Sequence, residues 1–122
     1  MDLSTVLRLA EQYLIRAEAR AKQGKITGVN SAESDINVIR NRAGLGNTTA
    51  NTQADILLAV EQERKSEFFT EWGHRWFDLK RTGRTTAILS PYKPNWQASK
   101  ELFPIPESQL INDPNITQNP GY

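Results

Sequence analysis

The sequence predicts an all-α fold in which helices are followed by a long, irregular, proline-rich C-terminal arm. Apolar residues recur every three or four positions through the first half of the chain, as they do on one face of a helix. Capping residues and glycines bound these periodic segments. All six prolines lie from residue 91 onward, where the fixed φ and missing N–H of proline exclude a long helix.

Composition limits the classes of protein that the chain can belong to. A length of 122 residues predicts a single domain, 1–122. With 15 Lys and Arg against 14 Asp and Glu, no charge excess favours nucleic acid or an anionic membrane as a partner. The absence of cysteine excludes disulfides, cysteine–zinc sites, a thiol nucleophile and a lipid-modified cysteine within this chain. No apolar run reaches the roughly 20 residues of a membrane span, and the N-terminus lacks the residue order of a signal peptide. We therefore expect a soluble chain without an anchor.

The first helix is predicted over residues 4–23 and ends at Gly24, a typical C-cap residue. Small alanines on its apolar stripe would let a neighbouring helix approach closely. The stripe consists of Leu3, Leu7, Ala10, Leu14, Ala17 and Ala21.

A second helix is predicted over residues 30–43, starting at Asn30 or Ser31, and Asn30 has the spacing of a capping box with Glu33. Glycines at positions 44 and 46 stop it. Its predicted inner face consists of Ala32, Ile36, Ile39 and Ala43.

A third helix is predicted over residues 53–72, with Thr52 as the N-cap and Asp55 as the third helical residue. Gly73 interrupts the pattern, and a short helix is predicted over 75–81. One broad face of the third helix consists of Ile56, Leu57, Val60, Arg64 and Phe68.

The predicted arm, residues 83–122, contains too many apolar residues to be disordered. We expect an ordered, extended segment packed on the helices, with one helical turn at 107–111.

Titratable and aromatic residues are densest in residues 71–84 (EWGHRWFDLKRTGR), which contain the only histidine, and Glu63 and Glu67 precede this stretch. Glu63 and Glu67, four residues apart, could divide into acid and base or join His74 around a metal. Nearby cations could equally neutralise both carboxylates, and one histidine without cysteine cannot build a typical zinc site. We predict no catalytic, metal or cofactor site here, and expect His74 to be oriented by Asp78. The predicted structural charge network comprises Glu63, Glu67, His74, Arg75, Asp78 and Arg81.

The same stretch mixes cations with aromatic rings, as single-strand nucleic-acid binders do. We instead expect Trp76, Phe77 and Leu79 to face the core. Asp78 lies three residues from Arg75 and from Arg81, which favours internal ion pairs. We therefore predict no nucleic-acid partner.

A different candidate site lies in residues 90–97 (SPYKPNWQ), where Tyr92 and Trp96 stand among prolines and polar residues. Aromatic faces stack against the C–H faces of sugars, and amides such as that of Asn95 bind hydroxyl groups. The alternative is that one or both rings anchor the loop to the core. Tyr92, Asn95 and Trp96 are the candidate ligand-binding residues.

Several stretches, in order, resemble the conserved C-terminal part of the SusD/RagB family. They are residues 8–19 (RLAEQYLIRAEA), 39–45 (IRNRAGL), Glu63 with Arg64, 73–81 (GHRWFDLKR), 102–109 (LFPIPESQ) and 115–122 (NITQNPGY). The resemblance implies a mostly α-helical protein with tetratricopeptide-like helix pairs, and the first two predicted helices fit such a pair. Residues 73–81 match a stretch shared by family members with different ligands, and such a stretch is better explained by a role in folding than by a role in ligand choice. We therefore expect Arg75, Asp78 and Arg81 to pair with Glu63 and Glu67.

The resemblance also implies a function. SusD-like proteins are non-enzymatic and bind glycans or other nutrients at the outer-membrane surface of Gram-negative bacteria. They work with a SusC-like TonB-dependent transporter and are held by a lipid anchor, which this chain lacks. The expected function is thus glycan binding in an uptake system, with an oligosaccharide and the transporter as partners. The alternative is a tetratricopeptide-like protein-interaction module with no small ligand; an enzyme ranks third.

Overall fold

The computed structural model describes residues 7–122 and contains helices but no β-strand in that range. The all-α prediction is therefore confirmed. The predicted helix start at residue 4 and the stripe residue Leu3 lie outside the described residues. Within the described part, no helix is both long and apolar enough to cross a membrane.

The described chain forms two compact units, which divide between Arg75 and Trp76. The first unit contains α1 (Leu9–Lys22), α2 (Ala32–Arg42) and α3 (Gln53–Glu67). The boundary falls inside α4 (His74–Arg81). The second unit continues with α5 (Thr85–Leu89), a 3-10 helix (Ala98–Glu101) and α6 (Glu107–Asn112).

Helices α1 and α2 form the predicted hairpin. Gly24 adopts a left-handed φ of 77°, which lets the chain leave α1 at little steric cost. The N–H of Ala32 donates to the Lys25 carbonyl at 2.9 Å and closes the loop between the helices. Leu7, predicted on the buried stripe, is 78% exposed because the helix begins only at Leu9.

The structure has the second of the two predicted starts of α2, and its capping box lies one residue beyond the predicted Asn30–Glu33 pair. Ser31 is the N-cap: its hydroxyl accepts the Ser34 N–H at 3.2 Å, and the Ser34 hydroxyl accepts the Ser31 N–H at 3.0 Å. Asn30 cannot serve as the N-cap because it has a left-handed φ of 57°. Glu33 accepts the N–H of Gly28 instead.

Helix α3 begins as predicted, with the Thr52 hydroxyl accepting the N–H of Asp55 at 3.1 Å. It ends at Glu67, earlier than the predicted residue 72. Thr70, Trp72 and Gly73 all have positive φ, and a right-handed helix requires negative φ. Periodicity alone did not indicate this turn.

The core of the first unit lies between α1, α2 and α3. Ile56 and Val60 pack in one cluster with residues from the end of α1 and the start of α2. Phe68 packs in a second cluster with residues from the start of α1 and the end of α2. Helices α2 and α3 therefore both run antiparallel to α1. The remaining members of the two clusters are Ala10, Leu14, Ala17, Ala21, Ala32, Ile36 and Ile39, all predicted core positions.

Two predicted inner-face positions behave differently from each other. Ala43, which follows the last residue of α2, is exposed, so its assignment to the inner face was wrong. Leu57 is partly buried against the first cluster, as expected for the broad face of α3.

The C-terminal arm contains more helix than predicted. The turn expected at 107–111 is present as α6, whereas α5 was not predicted, because five residues rich in threonine show no amphipathic period. Packing of the arm on the helices stays a prediction, as does the single domain.

Side-chain amides hold the arm in an ordered, extended form. Proline on both sides of Ile105 excludes regular pairing, and the Gln118 side chain satisfies the Ile105 backbone, accepting its N–H at 2.8 Å and donating to its carbonyl at 3.0 Å. The Asn119 amide donates to the Phe103 carbonyl at 2.7 Å. The Tyr122 hydroxyl donates to the Leu102 carbonyl at 2.8 Å. These hydrogen bonds hold residues 118–122 against residues 102–105.

Candidate functional site

The second unit contains an open groove of about 520 Å³. Four aromatic side chains and three polar ones line it. The aromatic residues are Trp76, Trp96, Phe103 and Tyr122, and the polar residues are Lys93, Asn95 and Lys100. Ligand sites of this kind combine a mostly apolar lining with a few polar groups that orient the ligand.

Two tryptophans give the groove its shape. The rings of Trp76 and Trp96 meet edge to face, with centroids 6.3 Å apart and planes at 81°. The indole N–H of Trp96 donates to the Thr86 hydroxyl at 3.1 Å, and the ammonium of Lys80 lies 5.7 Å from the centre of the Trp76 ring. Each contact restrains a ring, so two aromatic surfaces stand nearly at right angles before any ligand binds.

The polar wall is held by its own hydrogen bonds. The Lys100 ammonium donates to the backbone carbonyl of Asn95, while the backbone N–H of Trp96 donates to the Lys93 carbonyl at 2.8 Å. These bonds fold residues 93–100 into a compact turn. The Asn95 amide and the two ammonium groups are the polar part of the groove lining.

Two of the three predicted ligand-binding residues, Asn95 and Trp96, line this groove. Tyr92 is not among the lining residues and its side chain is 82% exposed. Sequence reasoning missed Trp76, Phe103 and Tyr122, which are far from residues 92–96 along the chain. The aromatic residues at 103 and 122 were the available signal, but their place at the groove depends on hydrogen bonds within the arm, from the Asn119 amide to the Phe103 carbonyl and from the Tyr122 hydroxyl to the Leu102 carbonyl.

The sequence suggested that Glu63 and Glu67 pair with Arg75, but the structure gives both carboxylates other partners. Glu63 accepts a hydrogen bond from Arg40 at 2.6 Å. Glu67 binds Arg42 through both oxygens, each at 2.6 Å, and also pairs with Arg8. The prediction went wrong because arginines distant in sequence reach these carboxylates first. Both carboxylates are thus held in ion pairs within the three-helix unit.

The remaining charged residues of the predicted network also have partners. Arg75 donates to Glu61 at 3.0 Å. Arg81 donates to the buried Asp78 at 3.0 Å within α4, as their i,i+3 spacing predicted. The expected burial holds for Leu79 but not for Phe77, which is 63% exposed. Because these cations contact carboxylates, they are less suited to bind phosphates.

The histidine lies in an aromatic and charged environment. The His74 ring stacks on Phe68 with centroids 4.7 Å apart. Its Nδ1 lies 3.5 Å from an Arg64 nitrogen and 3.8 Å from a Glu11 oxygen. The predicted hydrogen bond to Asp78 stays a prediction. Among residues 7–122, no three His, Cys, Asp or Glu side chains form a group that could hold a metal ion.

Asp35 is a charged residue that the sequence analysis did not single out. Its buried carboxylate accepts hydrogen bonds from Arg16 at 2.7 Å and Arg20 at 2.7 Å, joining α2 to α1. The hydrogen bond to Asp35 raises the pKa of Arg16 above its ordinary value. The sequence did contain a signal for the burial of Asp35, because Asp35 falls on the same helical stripe as Ala32 and Ile39 on the inner face of α2.

Comparison with known proteins gives consistent matches. The chain is 35% identical over 127 residues to the Starch-binding protein SusD of Bacteroides thetaiotaomicron, covering 96% of this chain and 21% of that protein. A SusD-like protein of Formosa agariphila is 28% identical, with 99% of this chain and 25% of the relative covered. The crystal structure of a SusD-like protein from Bacteroides fragilis matches with a TM-score of 0.75 and 27% identity, over 95% of this chain and 25% of that one. The chain therefore spans about a fifth to a quarter of the length of these relatives. The model of the SusD family matches residues 3–122, and the chain belongs to that family.

Proposed function

We propose that this chain is part of a non-enzymatic protein that binds glycans or similar nutrients for an outer-membrane uptake system, and that the aromatic groove contacts an oligosaccharide. Membership of the SusD family supports the uptake role, as does the starch-binding relative. The single observation that carries the proposal is the groove itself, with its two orthogonal tryptophans.

The groove suits a sugar because it offers both kinds of contact that a sugar needs. Pyranose rings present apolar C–H faces, which stack on the indoles of Trp76 and Trp96. Their hydroxyl groups need donors and acceptors, and the Asn95 amide supplies both. The groove is open, so a chain of several sugars could extend past it into solvent.

The non-enzymatic role is supported by how the candidate acid–base groups are engaged. A general acid or base must lie within hydrogen-bond reach of the proton that it transfers. Glu63 and Glu67, the candidate acid–base pair, are held by arginines. Their role in this proposal is structural.

We further propose a SusC-like TonB-dependent transporter as the partner and the cell surface of the outer membrane as the location of the whole protein. Family membership supports both assignments. A lipid anchor would supply the attachment to the membrane.

A titration of the chain with a panel of oligosaccharides, followed by tryptophan fluorescence, tests the glycan-binding role. We expect saturable quenching by at least one sugar and its loss in Trp96→Ala. Trp72→Ala removes a tryptophan of the three-helix unit and serves as the matched control, so it should keep the binding curve. Circular dichroism of each variant checks folding. Absence of a response to every sugar, or equal loss in both variants, would refute ligand contact in this groove.

A protein-interaction module is the second candidate, and exposed apolar residues on α1 favour it. Leu9 is 73% exposed and Ile15 is 49% exposed. With Tyr13 and Arg16 they line a shallow depression of about 330 Å³. Two results together would favour this function. The chain would capture the SusC-like transporter and lose that capture in Ile15→Asp, and no sugar would change its fluorescence.

A further inference from the structure

We infer that the aromatic groove selects an oligosaccharide that carries negative charge, either a uronic acid carboxylate or a sulfate ester, over a neutral one. The inference rests on the proposed function, because it names the class of glycan that the same groove would hold. It follows from the charge of the lining residues, which the aromatic surfaces alone do not determine.

The side chains that line the groove carry two positive charges and no negative one. Lys93 and Lys100 supply the ammonium groups, while the other lining residues are aromatic apart from Asn95. Both lysines are exposed. In the part of the chain that the structure describes, the ion pairs involve other cations, and neither lysine contacts a carboxylate. The groove is therefore a local positive site in a chain of nearly neutral net charge.

One of the two ammonium groups is already positioned. The Lys100 ammonium donates to the Asn95 carbonyl, which uses one of its three N–H groups and holds it beside Asn95. Two of its N–H groups stay available to a ligand. The Lys93 ammonium has no such tether among the contacts of the described residues, so it can adjust to the position of a bound anion.

The donor count explains why an acidic sugar fits better than a neutral one. An ammonium group donates hydrogen bonds but accepts none, whereas a sugar hydroxyl both donates and accepts. A carboxylate or sulfate accepts only, so it satisfies ammonium groups without leaving a donor unpaired. Charge-assisted hydrogen bonds of this type are also roughly twice as strong as neutral ones. The tryptophans contribute stacking to both kinds of sugar and do not distinguish them.

Three tetrasaccharides compared by NMR test the inference. We would titrate the ¹⁵N-labelled chain with neutral maltotetraose, carboxylated tetragalacturonate and a sulfated carrageenan tetrasaccharide, following the three indole N–H signals. Trp76 and Trp96 line the groove and should shift, while Trp72 belongs to the other unit and serves as the reference. We expect at least one acidic sugar to bind about tenfold tighter than maltotetraose at low salt. That preference should shrink at about 300 mM salt, because screening weakens exposed charge pairs.

Lysine variants then assign the effect to the groove. Lys93→Met keeps the length of the side chain but removes its charge, and should weaken binding of the acidic sugar about fivefold, more than it weakens binding of maltotetraose. Lys93→Arg should retain the preference. Lys65→Met is the matched control, since Lys65 is an exposed lysine of α3 in the first unit.

The outcomes separate this inference from the proposed function. Equal binding of neutral and acidic sugars, with no effect of Lys93→Met, would overturn the charge preference and leave glycan binding intact. Equal weakening by Lys65→Met and Lys93→Met would also overturn it, because the effect would then reflect net charge. Absence of any indole shift with all three sugars would refute the groove as a glycan site. The acidic sugar that binds identifies carboxylate or sulfate as the recognised group.

Discussion

The indole N–H of Trp96 donates a hydrogen bond to the hydroxyl of Thr86 at 3.1 Å, which ties the 93–100 turn to helix α5. This bond orients one of the two aromatic surfaces of the groove. The bond joins α5, which the sequence did not predict, to Trp96, a predicted ligand-binding residue. The groove is thus built from short segments that contact one another.

Thr86→Val should weaken oligosaccharide binding by about fivefold, because a neutral hydrogen bond contributes about 1 kcal/mol and its loss frees the Trp96 ring. The melting temperature should change little, since residue 86 is exposed. Thr86→Ser keeps the hydroxyl and should bind like the parent chain. Isothermal titration calorimetry measures the affinity, and equal affinities for the valine and serine variants would contradict the orienting role.

Leu14→Ala should lower the free energy of unfolding by about 3 kcal/mol, because deletion of a buried leucine leaves a cavity as well as removing apolar contact. Leu14 is fully buried between the three helices. The adjacent Ile15 is half exposed, and Ile15→Ala should cost less than about 1 kcal/mol. Urea denaturation measures both values. Similar losses in the two variants would mean that α1 is rotated about its axis.

Asp35→Ala should lower the free energy of unfolding by about 3 kcal/mol, because it removes a buried carboxylate bonded by two arginines and leaves Arg20, whose side chain is only 18% exposed, without that partner. The Asp35 side chain is 3% exposed and binds two arginines. Glu33→Ala, two residues earlier on the same helix, removes one hydrogen bond to the Gly28 N–H and is the control. Thermal unfolding distinguishes the two, and an Asp35→Ala chain as stable as the control would be inconsistent with a bridge between α1 and α2.

Ser31→Ala should cost about 1 kcal/mol of stability, the usual value for losing an N-cap hydroxyl. The hydroxyl also donates to the Gly28 carbonyl at 2.6 Å, so two local bonds are lost. Ser31→Thr retains the hydroxyl and should restore most of the stability. Chemical denaturation of the pair provides the measurement, and an unaffected alanine variant would argue against Ser31 as the cap.

Asp78→Ala tests the structural role proposed for the residues around His74. Asp78 is buried and its partner Arg81 is mostly outside the core. We expect a loss of about 2 kcal/mol for Asp78→Ala, which removes charge-assisted hydrogen bonds to a buried carboxylate, and a loss of about 3 kcal/mol for Arg81→Ala, which leaves that buried carboxylate without the Arg81 charge. Differential scanning calorimetry measures both. An unchanged melting temperature for Asp78→Ala would refute the structural role.

The sequence by itself determined the helices and their buried faces in the first 75 residues. Ala10 and Leu14 on α1, like Ile56 and Val60 on α3, stand four residues apart, and a period of 3.6 residues places such pairs on one face of their helix whatever lies opposite. Local signals also located the caps to within a residue, because a cap is a contact between neighbours in sequence. Two of the groove residues, Asn95 and Trp96, were found from their chemistry alone.

The tertiary structure alone decided which distant residues meet. Glu63 binds Arg40 and Glu67 binds Arg8 and Arg42, and no spacing rule within α3 could select those partners. Phe103 and Tyr122 likewise enter the groove through amide and hydroxyl bonds to the backbone of the arm. The physical reason is that periodicity and capping are properties of one segment, whereas a long-range ion pair or a groove depends on how separate segments are placed together.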